Sequence, residues 1–366
     1  MNSNRDSCFT FGEGIEYVLS ALSFPDNTKA TFNADAQIIE NAVVNAMASY
    51  DPLFRAAFKG LSLGGSYLDG IRIRLPDEFD MNVKTELNCS LTPVSARPGF
   101  IFLRADSKDH HCIKHVDGEG FFVDRLAVQS WFRDNITAVM PKLQNIRCSD
   151  RRAYSMEYTA HGYGVAHTML ATEHRNHRRQ ISFDFVPVFV FEPNQWPRDQ
   201  RKYPKGNREW FAVPRKYFDK PEAHDPRSFI LCAPFWERLV LHKKQNLKDS
   251  LRLMKALRNA NEMSGLVSYH LKSIYLNAVD EKLVTWNQAP GHILICMMVN
   301  LLHAVRLNNL PFYLAPDHNN LDKLSEKQRQ EYVRILSKIL NKLIRRRDAN
   351  YLTGEDLYQL FGVEVK

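Results

Sequence analysis

The sequence predicts an α/β protein, more closely α+β, with two lobes: a mixed β-sheet lobe and then a helical lobe. Residues 78–83 and 180–191 alternate polar and apolar side chains, the period of half-buried strands. After about Ser228 this pattern fades, and apolar residues recur at helical spacing from Phe235 onwards. A chain of 366 residues can bury two cores of ordinary size. We therefore expect domains at residues 1–228 and 229–366, the first with a long N-terminal helix.

Composition and charge indicate a soluble protein with a polyanionic partner. Hydrophobic residues make up 44% of the chain and charged residues 25%, as in ordinary globular proteins. The net charge of +8 points towards nucleic acid, although a merely basic enzyme would show the same charge. Six cysteines are scattered without a CxxC pair, which suits reduced thiols. There is no signal-peptide core, and the longest apolar run, 293–299, is too short for a bilayer, so we expect a cytoplasmic location and no membrane partner.

A long amphipathic helix is predicted before the first strands. Its apolar stripe consists of seven residues at helical spacing: Ile38, Ile39, Ala42, Val43, Ala46, Met47 and Tyr50. Asn33 or Asp35 could cap its start, and Pro52 should end or bend it.

Residues 63–83 hold the chemistry that the rest of the chain is expected to serve. Gly64, Gly65 and Ser66 form a turn whose backbone amides can approach a ligand closely, because glycine has no Cβ. In the strand that follows, Glu78 and Asp80 are two residues apart and therefore share a face. Two adjacent carboxylates repel each other unless a cation lies between them. A phosphate-binding turn beside two metal-binding acids indicates nucleotidyltransferase chemistry.

Asp184 is a third acid in a strand that otherwise suits a core. Ile181, Phe183 and Phe185 alternate with it and predict a buried face. A buried carboxylate without a partner is costly, so Asp184 should be paired, hydrogen-bonded or bound to metal.

Two further segments have competing interpretations. Residues 110–115 hold three histidines and a cysteine, which could bind a metal or form a solvated loop. Residues 196–216 carry seven basic side chains against two acidic ones, which could be a solvated surface or contact phosphates.

The second lobe is predicted to consist of six helices. They cover residues 235–243, 246–262, 268–278, 290–307, 322–347 and 353–360. Ser268 can cap the third of these helices.

These motifs together resemble the cyclic GMP–AMP synthase branch of the nucleotidyltransferase superfamily, which includes the male-abnormal (Mab) proteins. The first lobe carries the family's Gly-Ser-Tyr, Pro-Asp-Glu-Phe-Asp and Ile-Ser-Phe-Asp motifs in order, at 65–67, 76–80 and 181–184. The later segments 211–215, 235–239, 251–255 and 268–272 resemble further landmarks of that family. The resemblance implies the bilobed nucleotidyltransferase fold, with a nucleotide in the cleft between the lobes.

The resemblance also implies a role for each matching residue. Glu78, Asp80 and Asp184 would hold Mg²⁺ or Mn²⁺ for catalysis, and Gly65 and Ser66 would bind the triphosphate of the donor nucleotide. From the helical lobe three residues would contact the nucleotide: Lys255 at phosphate or ribose, Tyr269 on a base and Ser268 beside it.

Each of these roles has a structural alternative. Glu78 and Asp80 could be solvated acids at a strand edge, and Asp184 could be a structural buried acid. Tyr269 could belong to the core of its helix, and Lys255 could be an ordinary surface lysine.

One departure from the family bears on the activating ligand. The vertebrate DNA sensor has a zinc-binding insertion where this chain has only residues 245–250, which contain neither cysteine nor histidine. We therefore expect no zinc, and the pattern is similar to invertebrate receptors that respond to double-stranded RNA. A-form duplexes are recognised through phosphates and 2′-hydroxyls by basic surfaces. Nine basic residues could supply such a surface: Lys243, Lys244, Lys248, Arg252, Arg151, Arg152, Arg175, Arg178 and Arg179.

The leading hypothesis is a nucleotidyltransferase of innate immunity that RNA activates and that makes a cyclic dinucleotide from ATP and GTP. DNA is a less favoured activator, and a dimer induced by the ligand would suit the family. Two alternatives stay open: an inactive Mab-type scaffold or nucleic-acid-binding protein, and a synthetase of linear oligonucleotides.

Overall fold

The chain forms two compact units that are interleaved in sequence. The computed structural model describes residues 7–23, 26–65, 69–73, 77–161, 165–206, 208–216 and 225–365. The sheet unit contains residues 25–68 and 75–236, and the helical unit contains residues 1–24, 69–74 and 237–366. The predicted domains are two continuous blocks, whereas here two early segments belong with the C-terminal helices.

Helices and strands alternate irregularly along the chain. The helices are α1 (Phe11–Ala21), α2 (Asp26–Tyr50), α3 (Pro52–Ala57), α4 (Arg125–Val139), α5 (Pro234–Leu241), α6 (Leu247–Ala260), α7 (Ser268–Asp280), α8 (Pro290–Leu307), α9 (Glu326–Asp348) and α10 (Gly354–Phe361). The strands are β1 (Cys8–Phe9), β2 (Phe58–Leu63), β3 (Glu78–Thr85), β4 (Leu91–Arg97), β5 (Phe100–Ala105), β6 (Ile113–Val116), β7 (Gly120–Val123), β8 (Ile146–Arg147), β9 (Ala153–His161), β10 (His167–Glu173), β11 (Gln180–Phe191), β12 (Trp210–Pro214), β13 (Phe229–Cys232), β14 (Pro311–Phe312), β15 (Ala315–Asn319) and β16 (Leu352–Thr353).

Strand β11 is the centre of the sheet unit. Twelve strands of the described chain form one sheet, in which β11 pairs antiparallel with β10 and parallel with β3. The predicted alternation is confirmed in both strands. Phe79 and Phe183 are buried and stack on each other with ring centroids 5.7 Å apart, whereas Asp80 and Asp184 are on the opposite, partly exposed face. Burying each such phenylalanine stabilises the fold by roughly 1.5–3 kcal/mol.

The long helix α2 starts earlier than its sequence predicts. It begins at Asp26, so neither Asn33 nor Asp35 caps it, and the predicted cap is wrong. The stripe is partly confirmed: Ile39, Val43 and Met47 are buried, as predicted. Two predicted members, Ile38 and Tyr50, are instead 36% and 54% exposed. The predicted end is correct, because α2 stops at Tyr50 and Pro52 starts α3.

Asp35 joins α2 to the sheet rather than capping the helix. Its carboxylate is fully buried and accepts hydrogen bonds from Arg152 Nε, Arg179 Nη2 and Tyr154 Oη, each at 2.8 Å. The Arg179 guanidinium also lies 3.8 Å from the centre of the Phe32 ring. A buried carboxylate needs this degree of compensation. The cluster therefore fixes the first half of α2 against β9 and the β10–β11 turn.

Helix α8 is the core of the helical unit. It contacts α1, α6, α7 and α9, and its bounds match the prediction at both ends. Its length and mean hydropathy would allow it to cross a membrane, but 56% of its residues are buried inside the protein, as in a core helix. The antiparallel pairs β14–β15 and β1–β16 were not predicted, because strands of two to five residues leave no periodic signal.

We predict that Asp35→Asn destabilises the sheet unit by about 3–5 kcal/mol, because two arginines would lose their buried counter-charge. Urea unfolding measured by circular dichroism would show it. Asp150→Asn is the matched control: Asp150 also pairs with Arg152 but its side chain is 73% exposed, so the loss should stay below about 1 kcal/mol. Equal, small losses in both variants would contradict the role of Asp35.

Candidate active site

Three acids meet where β3 and β11 run in parallel. Asp184 is paired with Asp80 in the register of these strands, and Ser182 is paired with Glu78. Paired residues point to the same face, and adjacent strands lie about 4.8 Å apart, so the carboxylates of Asp80 and Asp184 are neighbours. Glu78 is exposed on the same face, two residues before Asp80. The structure thus brings together the three acids that the sequence singles out.

The predicted glycine turn packs directly on this group. Gly64 follows β2, and its amide donates a hydrogen bond to the Asp80 carbonyl at 2.7 Å. Gly65 has a φ of +59°, and a Cβ at that position would overlap Asp80 Oδ2. Both the backbone conformation and the space therefore require glycine at position 65. Ser66, the third residue of the turn, lies outside the described residues.

Asp184 is hydrogen-bonded, as its place in a strand requires. Thr168 stands opposite it in the β10–β11 register and donates its hydroxyl to Asp184 Oδ1 at 2.5 Å. Thr168 was not predicted as a site residue, because a threonine in a strand has no distinguishing pattern.

Lys255 in the helical unit is buried rather than at the surface. It is 4% exposed, and its ammonium donates a hydrogen bond to the Ile71 carbonyl at 3.1 Å. The surface alternative for Lys255 is therefore wrong. In this structure Lys255 fixes the segment 69–73, which follows the glycine turn in sequence.

Tyr269 belongs to a buried ionic network that was not predicted. Its hydroxyl donates to Glu237 Oε1 at 2.6 Å, and Lys272 bonds Glu237 Oε2 at 2.8 Å and Asp69 Oδ2 at 2.6 Å. Burial alone would lower the pKa of Lys272, but Glu237 and Asp69 raise it above its ordinary value, so the ammonium stays charged. The network could not be predicted from the sequence of α7. That helix has charged residues among apolar ones, and a helix at the protein surface shows the same pattern.

Ser268 is the first residue of α7 but does not cap it. The N-cap residue is Val267, without a side-chain hydrogen bond, so the predicted cap is wrong. Arg258 Nη2 lies 3.5 Å from the Ser268 hydroxyl, which is half-buried.

His110, His111 and Cys112 form a group whose ligand atoms lie within 4.8 Å of one another. The Cys112 amide donates to His110 Nδ1, so the neutral ring carries its proton on Nε2. A histidine that binds metal through one ring nitrogen normally donates a hydrogen bond from the other. In His110 the nitrogen Nδ1 accepts a hydrogen bond instead. Burial and His111 lower the pKa of His110 to about 4, and its ring packs 4.9 Å from Trp131. These contacts favour aromatic packing over a metal site.

The basic segment 196–216 is anchored by aromatic packing. Trp196 is buried, and its ring lies 4.7 Å from that of Tyr203 and 5.2 Å from that of Trp210. Four of its seven basic side chains are exposed, Arg198, Lys202, Lys205 and Arg208, and the other three are half-buried. The segment is thus a fixed part of the sheet unit with a charged outer surface.

The acid group fits a divalent cation by its chemistry. Carboxylate oxygens are the ligands that Mg²⁺ and Mn²⁺ prefer. Three acids on one sheet face concentrate negative charge, and a cation would neutralise it. In the close glycine turn the Gly64 amide is already bound to the Asp80 carbonyl, so a phosphate oxygen would have to use the Gly65 amide.

Comparison with known proteins places the chain in a family. The family model for the Mab-21 protein nucleotidyltransferase domain matches residues 67–227, and that for the Mab-21 protein HhH/H2TH-like domain matches residues 246–338. A cyclic GMP-AMP synthase-like receptor of Drosophila eugracilis is 49% identical over 97% of this chain and 96% of its own length. A cyclic GMP-AMP synthase-like protein of Drosophila melanogaster is 37% identical over 90% and 92%, respectively. A receptor of the same name from Aethina tumida is 25% identical over 84% and 81%.

We predict that Gly65→Ala reduces nucleotidyl transfer about 100-fold, because the added methyl group displaces the Asp80 carboxylate from its position. Steady-state rates with nucleotide substrates would measure the effect. Gly118→Ala is the matched control. Gly118 also has a positive φ, +74°, but an added Cβ meets nothing within 4 Å.

The control separates backbone strain from displacement of the acid. Both alanine variants should lose about 1–2 kcal/mol of stability from strain at positive φ. Only Gly65→Ala should lose activity. Full activity in Gly65→Ala would show that the Asp80 position is not needed for the reaction.

Proposed function

Since this chain belongs to the Mab-21 family of nucleotidyltransferases, in its cyclic GMP–AMP synthase-like branch, we propose that it joins ATP and GTP into a cyclic dinucleotide. The observation that carries the proposal is the parallel register that pairs Asp80 with Asp184. Two transfers would be needed, through a linear intermediate that is turned over in the same site. The product would serve as a signal in innate immunity.

Glu78, Asp80 and Asp184 would hold Mg²⁺ or Mn²⁺. A bound cation of this kind neutralises charge on the transferred phosphoryl group and lowers the pKa of an attacking hydroxyl. Asp184 would accept the proton of that hydroxyl or orient it. Gly65 and Ser66 would hold the donor triphosphate through backbone amides and the serine hydroxyl.

The contacts proposed for the helical unit concern the nucleotide itself. Tyr269 would stack on a base with its ring orientation fixed by Glu237, and Ser268 would make a polar contact beside it. The proposed phosphate or ribose contact of Lys255 requires its ammonium to leave or share the Ile71 carbonyl. These roles follow the family resemblance.

Double-stranded RNA is the activator that we propose. Of the five arginines that the sequence offers as basic charge for RNA, Arg152 and Arg179 are bound to the buried Asp35. Arg151, Arg175 and Arg178 are exposed around that cluster. Exposed guanidinium groups on a rigid support can bind phosphates in a duplex. We propose that these three residues, and not the Asp35-bound pair, contact RNA.

We also propose a cytoplasmic location. None of the six cysteines forms a disulfide bond in the described chain, and the thiols of Cys8 and Cys296 are exposed. Exposed thiols that form no disulfide are typical of a reducing compartment.

We predict that the protein with ATP, GTP, Mg²⁺ or Mn²⁺ and long double-stranded RNA yields a nuclease-resistant cyclic product. Parallel reactions without ligand, with DNA and with RNA, read by liquid chromatography and mass spectrometry, would identify product and activator together. Linear oligomers alone would favour the linear synthetase. The absence of any product from folded protein would favour the scaffold.

Two variants test the acid group and the proposed RNA-binding surface separately. Asp184→Asn should abolish product and leave RNA binding unchanged, because it alters only the acid group. The double variant Arg175→Glu/Arg178→Glu should weaken RNA binding and reduce its salt dependence, because two phosphate contacts are lost. Unchanged RNA binding in this double variant would contradict the assigned surface.

A further inference from the structure

Both the pairing of their strands and a side-chain hydrogen bond hold Thr168 beside Asp184. The two residues are directly paired between β10 and β11, and the hydroxyl–carboxylate distance of 2.5 Å lies within the range of charge-assisted hydrogen bonds. The hydroxyl bonds Oδ1. Oδ2 accepts no hydrogen bond from the described part of the chain. The threonine thus distinguishes the two oxygens of one carboxylate.

A β-bulge lies at this point of the neighbouring strand. Thr168 pairs with Ala160 and Met169 pairs with Tyr158, so Thr159 is an extra residue in β9. The Thr159 hydroxyl donates to the Thr168 carbonyl at 3.2 Å. Bulges redirect side chains and are common beside active sites. Here the bulge supports the strand at the residue that bonds Asp184.

The preceding residue anchors β10 from the opposite face. His167 is fully buried, with Nδ1 2.5 Å from the Tyr158 hydroxyl and Nε2 2.6 Å from Gln129 Oε1. The amide oxygen of Gln129 can only accept, so His167 donates from Nε2 and accepts at Nδ1. Gln129 in turn donates to the Val165 carbonyl at 3.1 Å. Both ring nitrogens are satisfied, which holds this part of β10 in place.

We propose that Thr168 is a positioning residue for nucleotidyl transfer, which fixes the Asp184 carboxylate so that Oδ2 is directed to the divalent cation. This inference rests on the proposed role of Asp184 as a metal ligand. A hydrogen bond from outside the metal's own ligands orients a carboxylate, and its loss typically costs 10–100-fold in metal affinity or activity.

The test is Mn²⁺ binding to the 366-residue chain with a non-reactive ATP analogue, measured by electron paramagnetic resonance of the free ion. Thr168→Val keeps the shape of the side chain and removes the donor. It should weaken Mn²⁺ binding about 10–100-fold. Thr168→Ser keeps the donor and should bind Mn²⁺ nearly as the wild type does. Thr172→Val is the matched control, four residues along the same face of β10 and paired with Gln180.

The outcomes separate this inference from the proposed function. Wild-type Mn²⁺ affinity in Thr168→Val, with loss of binding in Asp184→Asn, would overturn the role of Thr168 alone. Wild-type affinity in Asp184→Asn would overturn the metal site itself, and the role of Thr168 with it. A change in the near-ultraviolet circular dichroism of Thr168→Val would mean that the valine disturbs the local packing. In that case Thr168→Ala, which adds no bulk, must weaken Mn²⁺ binding to the same extent. Normal Mn²⁺ binding in folded Thr168→Ala would contradict the inference.

Discussion

The parallel pairing of β3 with β11 is the constraint on which the rest of the sheet unit depends. It places Asp80 beside Asp184 on one face while Phe79 and Phe183 stack on the other. A shift of one residue in either strand would move its acids to the buried face and its phenylalanines to solvent. The aromatic core therefore specifies the register, and the register specifies the acid group. Stability and chemistry are linked through the same pairing.

Each of the two units contains a buried ionic cluster that fixes segments of its own unit. Asp35 binds two arginines and a tyrosine and connects α2 to the sheet. Lys272 binds Asp69 and Glu237 and fixes the segment after the glycine turn to the helices. Such clusters contribute little net stability relative to apolar packing, but their directional bonds allow one arrangement. That property suits a protein whose site must hold like charges close together.

Much of the site could be predicted from the sequence, and the reason is local. The glycine turn, the alternation around Asp80 and the acid in β11 are each encoded within a few residues, and the family resemblance joined them. The cap of α2 was predicted wrongly because an aspartate at position 35 is consistent with two different roles. An aspartate before an apolar stripe is typical of a cap, whereas its partners Arg152 and Arg179 are more than a hundred residues away. Thr168, Asp69 and Lys272 were missed for the same reason, since only the tertiary fold gives them partners.

The central claim is that the Asp80–Asp184 pair forms the metal site of a nucleotidyltransferase. Crystals grown with Mn²⁺ and a non-reactive ATP analogue, measured near the manganese absorption edge, would locate the ion by its anomalous scattering. We expect a peak within coordination distance of the Asp80 and Asp184 carboxylates, on the face of β3 and β11 that carries Glu78. A peak at His110 and Cys112, or nucleotide bound without any peak at the acids, would contradict the account.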